Sequence, residues 1–113
     1  MDVRWAVLAL AAGMATAGAM PAAATDTHGP ALARSNACLA CHQIDARRVG
    51  PPFREIGKRY AHAGDPAATI EYLAGTIQKG GRGRWGAIPM PAQPRVSDED
   101  AQELAKWILE MGE

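Results

Sequence analysis

The sequence has few of the residues that usually hold a small domain together. It contains two cysteines, one phenylalanine, two tyrosines and three tryptophans among 113 residues. The only disulfide that two cysteines allow would close a very small loop here, so it would constrain the unfolded chain little. Removal of the N-terminal signal that the sequence predicts at residues 1–24 would leave residues 25–113, and a domain of that size struggles to bury enough apolar surface by itself. We therefore expect a large apolar group to complete its core.

The sequence also lacks a net charge, because twelve basic residues balance twelve acidic ones. This balance argues against a nucleic-acid partner, since such partners are bound by strongly basic surfaces. The charges are nevertheless unevenly distributed along the chain. Basic residues cluster at Arg47, Arg48, Arg54, Lys58, Arg59, Arg82 and Arg84, whereas the last segment carries Asp98, Glu99, Asp100, Glu103 and Glu110.

No apolar run has the length of a typical membrane-spanning helix. The longest covers residues 5–20 and is rich in Ala and Gly, whereas a spanning helix needs about 20 predominantly apolar residues. The small residues Ala-Ala-Ala at 22–24 follow it and are typical of a signal-peptidase site. We therefore predict a cleavable secretory signal peptide at residues 1–24 and one domain at residues 25–113. A retained N-terminal anchor is the alternative.

Behind the signal peptide, the sequence predicts four helices and no strands. The helices are expected at residues 30–41, 53–61, 66–79 and 98–111. Asp65 before Pro66 and Ser97 before three acidic residues are typical starts of the last two helices. Apolar residues at three- and four-residue spacing then give the last helix one buried face, at Ala101, Leu104, Ala105, Ile108 and Met111.

The segment between the last two helices is unusually long for a compact domain. Residues 80–96, GGRGRWGAIPMPAQPRV, are rich in Gly and Pro but also contain Trp85, Ile88 and Met90. Loops of this length are usually functional or disordered. Because these three side chains are too apolar for a disordered segment, we expect the loop to be pinned against the rest of the domain.

The motif Cys38-Leu39-Ala40-Cys41-His42 allows four interpretations. Its cysteines could form a disulfide, a redox dithiol, half of a zinc site, or the two thioether anchors of a covalently bound haem. A redox dithiol expects a framework of strands and helices. Zinc needs further ligands, and neither a third cysteine nor a histidine at ligand spacing is present. A bare disulfide leaves His42 without a role.

In an exported protein, Cys-x-x-Cys-His is the attachment signature of c-type haem, which the sequence therefore favours. Cys38 and Cys41 are three residues apart and fall on one side of a helical turn, and His42 would reach the iron from the same side. By elimination, Met90 between two prolines is the best candidate for the sixth ligand. His28, His62 and Met111 remain alternatives.

The region after the signal resembles the small bacterial class I cytochromes c of the cytochrome c-551 type. The resemblance rests on NACLACHQIDARRVGPPF, RWGAIPMP and VSDEDAQELAKWILEMG, in the family's order and at nearly its spacing. It implies an all-α fold of about four helices wrapped around one haem, with the first and last helices crossing. It also implies a soluble periplasmic electron carrier, a monomer, and not an enzyme.

The resemblance assigns a role to individual residues. Cys38 and Cys41 would be the thioether anchors, His42 the proximal ligand and Met90 the distal ligand. The resemblance further implies that the carbonyl of Pro51 accepts a hydrogen bond from the ligand histidine and that the indole N–H of Trp85 reaches a haem propionate.

Two positions depart from the family pattern. Gln93 stands where an asparagine often lies near the methionine sulfur, and Thr76 stands where some members have a propionate-binding arginine. Arg82 or Arg84 could compensate for that arginine, although solvated loop charges are the preferred interpretation of both.

The partners implied are periplasmic or membrane redox proteins, such as a quinol-oxidising complex, a terminal oxidase, a nitrite reductase or a peroxidase. Basic residues around the haem edge would steer docking to an acidic patch on such a partner, with solvated surface as the alternative. Two competing functions stay open. One is a haem c sensor or enzyme subunit with a displaceable Met90, and the other is a membrane-tethered or complex-bound subunit.

Overall fold

The computed structural model describes residues 11–18 and 28–113. Within these ranges there are four α-helices and no strand, which confirms the predicted all-α class. The helices are α1 (His28–Ser35), α2 (Phe53–Tyr60), α3 (Pro66–Lys79) and α4 (Asp98–Glu110), with a short 3-10 turn at Cys38–Ala40. No helix in the described part of the chain is long and apolar enough to cross a membrane. The predicted signal peptide lies largely outside the described residues and stays a prediction.

Helices α3 and α4 begin where their capping residues predict. The carboxylate of Asp65 accepts a hydrogen bond from the backbone N–H of Ala68 at 3.1 Å, and the Ser97 hydroxyl accepts one from the N–H of Asp100 at 3.1 Å. Each contact satisfies an N–H that the helix itself leaves free. Helix α3 ends at Lys79, because Gly80 takes a φ of 79° that side chains rarely adopt.

The prediction that the first helix runs into the cysteine motif is wrong. Helix α1 ends at Ser35. The Leu32 carbonyl accepts hydrogen bonds from both the backbone N–H and the side-chain amide of Asn36, and the N–H of Ala37 donates three positions back, to the carbonyl of Arg34. Ala37 then takes a left-handed conformation with φ 57°. The cysteines therefore lie on a separate short turn, in which the N–H groups of Cys41 and His42 both donate to the carbonyl of Cys38.

Helix α4 is the element against which the other three helices pack. Its apolar face is buried as predicted, with Ala101, Leu104, Ala105 and Ile108 each at most 6% exposed. Trp107 lies so close to Gly29 that any side chain at position 29 would overlap the indole. The first and last helices therefore cross in direct contact.

Candidate functional site

A large cleft opens between the cysteine turn, α2, α3 and the loop of residues 80–96. It encloses about 1210 Å³, counted out to its open mouth, and its lining is mostly apolar. All six site residues predicted from the sequence contribute to this lining, namely Cys38, Cys41, His42, Pro51, Trp85 and Met90. The fold thus brings together side chains that lie up to 52 positions apart in the sequence.

His42 is buried in the wall of the cleft, with only 7% of its surface exposed. Its Nδ1 atom donates to the carbonyl of Pro51 at 2.7 Å. Its ring also stacks on that of Phe53, with 5.0 Å between centroids and 18° between planes. The N–H groups of Val49 and Gly50 donate to the carbonyl of Cys41, which folds this segment back onto the histidine. The imidazole is therefore held on one edge and one face.

The two cysteines are half-buried beside this histidine. Burial is the main cause that raises the pKa of the Cys38 thiol above its ordinary value, and it outweighs the opposing effect of a backbone hydrogen bond. A thiol in such a place is held in its neutral form rather than as a solvated thiolate.

Met90 lies in the loop of residues 80–96 and is held there by hydrogen bonds of its own backbone. Its N–H donates to the carbonyl of Gly81 at 2.8 Å, and its carbonyl accepts from the N–H of Gly81 at 3.1 Å. The N–H of Gln93 donates to the carbonyl of Ile77 at 3.0 Å. The loop is therefore pinned to the end of α3, as predicted. Ile88 does not share in this anchoring and is 61% exposed.

Trp85 lies at the rim of the cleft among three arginines. The guanidinium of Arg59 stacks over its indole at 3.3 Å from the ring centroid. Arg47 donates to the carbonyl of Trp85 at 2.8 Å, and Arg59 donates to the carbonyl of Arg84 at 2.7 Å. The two basic stretches of the sequence therefore meet at this tryptophan.

The alternative ligand residues lie elsewhere in the described structure. His28 and Met111 line a separate hollow around Trp107. His62 is exposed and does not contribute to the cleft wall. Gln93 does line the cleft, and its side-chain amide approaches the carbonyl of Pro91 at 3.5 Å.

Sequence reasoning missed two residues of the site. Phe53 was counted only among the aromatic residues, although its place two positions after Pro51 ties it to the histidine partner. Arg59 was counted only as a member of a basic cluster, and no local pattern predicts its contact with Trp85. Arg84 is exposed, as expected of a solvated loop charge, and its guanidinium also donates to the Thr76 hydroxyl at 2.7 Å, a contact that no local pattern predicts.

The cleft thus brings a histidine and a methionine together with the two cysteines of the motif. Among known protein families, the family model described as Cytochrome c matches residues 27–112. The chain belongs to the cytochrome c family. It carries one covalently bound haem c, and its function is electron transfer rather than catalysis of a substrate reaction.

Individual cytochromes c are similar over most of their length. Cytochrome c-552 of Nitrosomonas europaea is 53% identical over 78 residues, which are 69% of this chain and 73% of that protein. Cytochrome c-552 of Hydrogenobacter thermophilus is 47% identical over 78 residues, 69% of this chain and 76% of that one. The crystal structure of the Nitrosomonas cytochrome superposes with a TM-score of 0.67 at 46% identity, covering 73% of this chain and 98% of that chain.

The residues present fit a haem. The cleft supplies the apolar walls that a porphyrin needs, and its lining contains an imidazole, a thioether and two thiols. No buried side-chain nitrogen or oxygen in the described residues lacks a hydrogen-bond partner. The polar atoms already buried around the cleft are therefore satisfied within the protein and do not themselves require a polar ligand.

Proposed function

We propose that this cytochrome c is a soluble periplasmic carrier whose haem iron is bound by His42 and Met90. Cys38 and Cys41 would form the two thioether bonds. When bound, the haem supplies an iron that alternates between the ferric and ferrous states. The protein's own contribution is to hold two axial donors, to exclude water and to present one edge to partners.

The observation that carries the proposal is the pairing of His42 and Met90 in one cleft. Because a carbonyl oxygen only accepts hydrogen bonds, the contact with Pro51 assigns the proton to Nδ1 and leaves Nε2 free to bind a metal. Met90 offers the sulfur, while His28, His62 and Met111 do not line this cleft. A thioether donor favours ferrous iron and raises the reduction potential.

The backbone around Met90 supports an iron with both axial positions filled. The paired hydrogen bonds between Met90 and Gly81 hold the residue on both sides of its peptide. This bridge fixes the backbone from which the Met90 side chain extends. An iron with both axial positions occupied by protein ligands offers no free site for oxygen or peroxide, which favours a carrier over a sensor or enzyme subunit.

The partners we propose are redox proteins that present an acidic surface. Arg47, Arg59 and Arg84 surround Trp85 at the rim of the cleft. The positive charges of Arg47 and Arg59 at this rim would speed the encounter with an acidic patch, and the effect would weaken as salt is raised. Export to the periplasm rests on the signal peptide predicted at residues 1–24.

Visible absorption spectra of the purified protein in both oxidation states, followed by addition of carbon monoxide to the reduced form, test this function. A carrier with a firm methionine ligand should show a low-spin c-type spectrum that carbon monoxide changes little. A large change at low carbon monoxide concentration would instead support the sensor or enzyme alternative. Fractionation of the native cells tests location, since recovery with the membranes would contradict a soluble carrier.

A further inference from the structure

Two arginines contribute to the lining of the apolar cleft, Arg82 and Arg84. They belong to the same loop and are both exposed on their outer sides. Their surroundings differ, however. Within residues 28–113 the Arg82 side chain has no hydrogen-bond or ion-pair partner, whereas Arg84 is tied to three other residues.

Arg84 is fixed through both its side chain and its backbone. Its Nη1 atom donates to the Thr76 hydroxyl at 2.7 Å, and that hydroxyl in turn donates to the carbonyl of Tyr72 at 3.0 Å. The guanidinium lies 4.9 Å from the centroid of the Tyr72 ring. Its carbonyl accepts a hydrogen bond from Arg59. A long arginine side chain is thus ordered before any ligand binds, which reduces the entropy lost on binding.

The charge of Arg84 has no carboxylate partner among the described residues. The three ion pairs found there are Arg54 with Asp45, Lys58 with Glu55 and Lys106 with Glu103. Arg84 still has guanidinium N–H groups to donate after the one bound to Thr76. A fixed cation with free donors at the rim of an apolar cleft is suited to bind a carboxylate of the cleft's ligand.

We propose that Arg84, oriented by Thr76, binds a propionate of the haem. This proposal rests on the haem cofactor of the proposed function. The sequence alone could not decide whether Arg82 or Arg84 binds a propionate or whether both are only solvated; the proposal selects Arg84. Thr76 is then a positioning residue, since it holds the guanidinium without itself needing to contact the carboxylate.

The ionisation of that propionate is the property by which the contact can be measured. A nearby positive charge favours the ionised form and lowers a carboxylic pKa by about 1–3 units. The charged or titratable groups in contact with Arg84 are Arg59 from α2 and Tyr72 from α3; Tyr60 packs against Tyr72, and Arg82 lines the same cleft. Burial and the contact with Tyr60 raise the pKa of Tyr72, so this phenol stays neutral in acidic solution.

The test is the reduction potential of the holoprotein as a function of pH, in Arg84→Gln, Arg84→Lys and Thr76→Val. An ionised propionate favours ferric iron, so the potential falls as pH rises through the propionate pKa. In Arg84→Gln this fall should move to higher pH by about one unit. In Arg84→Lys the potential should fall at nearly the wild-type pH. In Thr76→Val the fall should move to higher pH, but by less than in Arg84→Gln.

Arg82→Gln is the matched control, because it removes the same charge from the same loop without removing a tethered side chain. The proposal would be overturned if the pH at which the potential falls were unchanged in Arg84→Gln, or if that pH shifted equally in Arg82→Gln. Haem staining and the visible spectrum of each variant separate this result from failure of the proposed function. Absence of covalent haem from the wild type would contradict the proposed function. Intact haem in Arg84→Gln, with the potential falling at the wild-type pH, would contradict only the role of Arg84.

Discussion

The carbonyl oxygen of Pro51 lies 2.7 Å from Nδ1 of His42, so a residue nine positions further along the chain determines which imidazole nitrogen is free. The ring can approach Pro51 because residue 50 is a glycine and has no side chain. A Cβ atom at position 50 would lie 2.7 Å from Cε1 of His42, closer than carbon atoms pack. The segment that follows the cysteine motif therefore sets both the tautomer and the position of the ring.

Gly50→Ala should displace the His42 ring and weaken its contact with Pro51. Overpacking of this kind typically costs about 1–3 kcal/mol of unfolding free energy. We expect a lower denaturation midpoint and an altered reduction potential, measured by denaturant titration and by redox titration of the same preparation. A variant with wild-type values for both would show that the ring can move freely in this wall.

Gly75→Ala is the control for this substitution. Gly75 lies within α3, and a Cβ atom there would meet nothing within 4 Å. Because glycine destabilises a helix interior, alanine should increase the unfolding free energy by about 0.5–1 kcal/mol and leave the potential unchanged. Destabilisation of both variants would mean that the effect at position 50 is not specific to His42.

Removal of the cysteines should release the haem. Cys38→Ala or Cys41→Ala should weaken covalent retention, and the double variant should abolish it, because each cysteine supplies one thioether. We also expect the double variant to lose its fold, since the haem would complete an otherwise small core. Denaturing electrophoresis with haem staining checks this. A wild-type signal from the double variant would end the haem c assignment of these residues.

Trp85→Phe should keep the fold and change the reduction potential modestly. The phenyl ring preserves an aromatic surface under Arg59, whereas the indole N–H, which the family resemblance implies reaches a propionate, is lost. Redox titration across a range of pH measures both the potential and the propionate ionisation. If neither differs from the wild type, Trp85 serves only for packing.

The parts of the fold that could be predicted from sequence are those determined by neighbouring residues. The start of α3 follows from Asp65 and Pro66, and its end follows from Gly80, all within one turn of the helix terminus. The first helix was predicted too long because its residues favour helix, yet the chain leaves the helix at Ala37, which takes a left-handed conformation with φ 57°. Alanine is the best helix former, so helix propensity gives no sign of a break at this position.

Cys38, Cys41 and His42 could be predicted as site residues because they lie within five consecutive positions and form a recognisable motif. Met90 was found by eliminating other methionines and by the prolines beside it. The contacts of Arg59 with Trp85 and of Arg84 with Thr76 could not be predicted, because they join residues from separate elements. Such pairs depend on how α2, α3 and the loop pack, and no spacing in the sequence encodes that packing.

Met90 is the residue on which the account of an electron carrier most depends. Its replacement by alanine should leave the haem attached through Cys38 and Cys41 and should open the sixth position to water or an added ligand. The reduction potential should fall, because the donor that favours ferrous iron is gone. Met111→Ala is the control, since Met111 lines the separate hollow near Trp107.

Near-infrared absorption of the oxidised protein is the most direct measurement of this ligand, because a bond between sulfur and ferric iron gives a weak band there. We expect the band in the wild type and in Met111→Ala, and its complete loss in Met90→Ala. A wild-type protein without the band, or a Met90→Ala variant that retains it, would contradict ligation by Met90 and with it the proposed carrier.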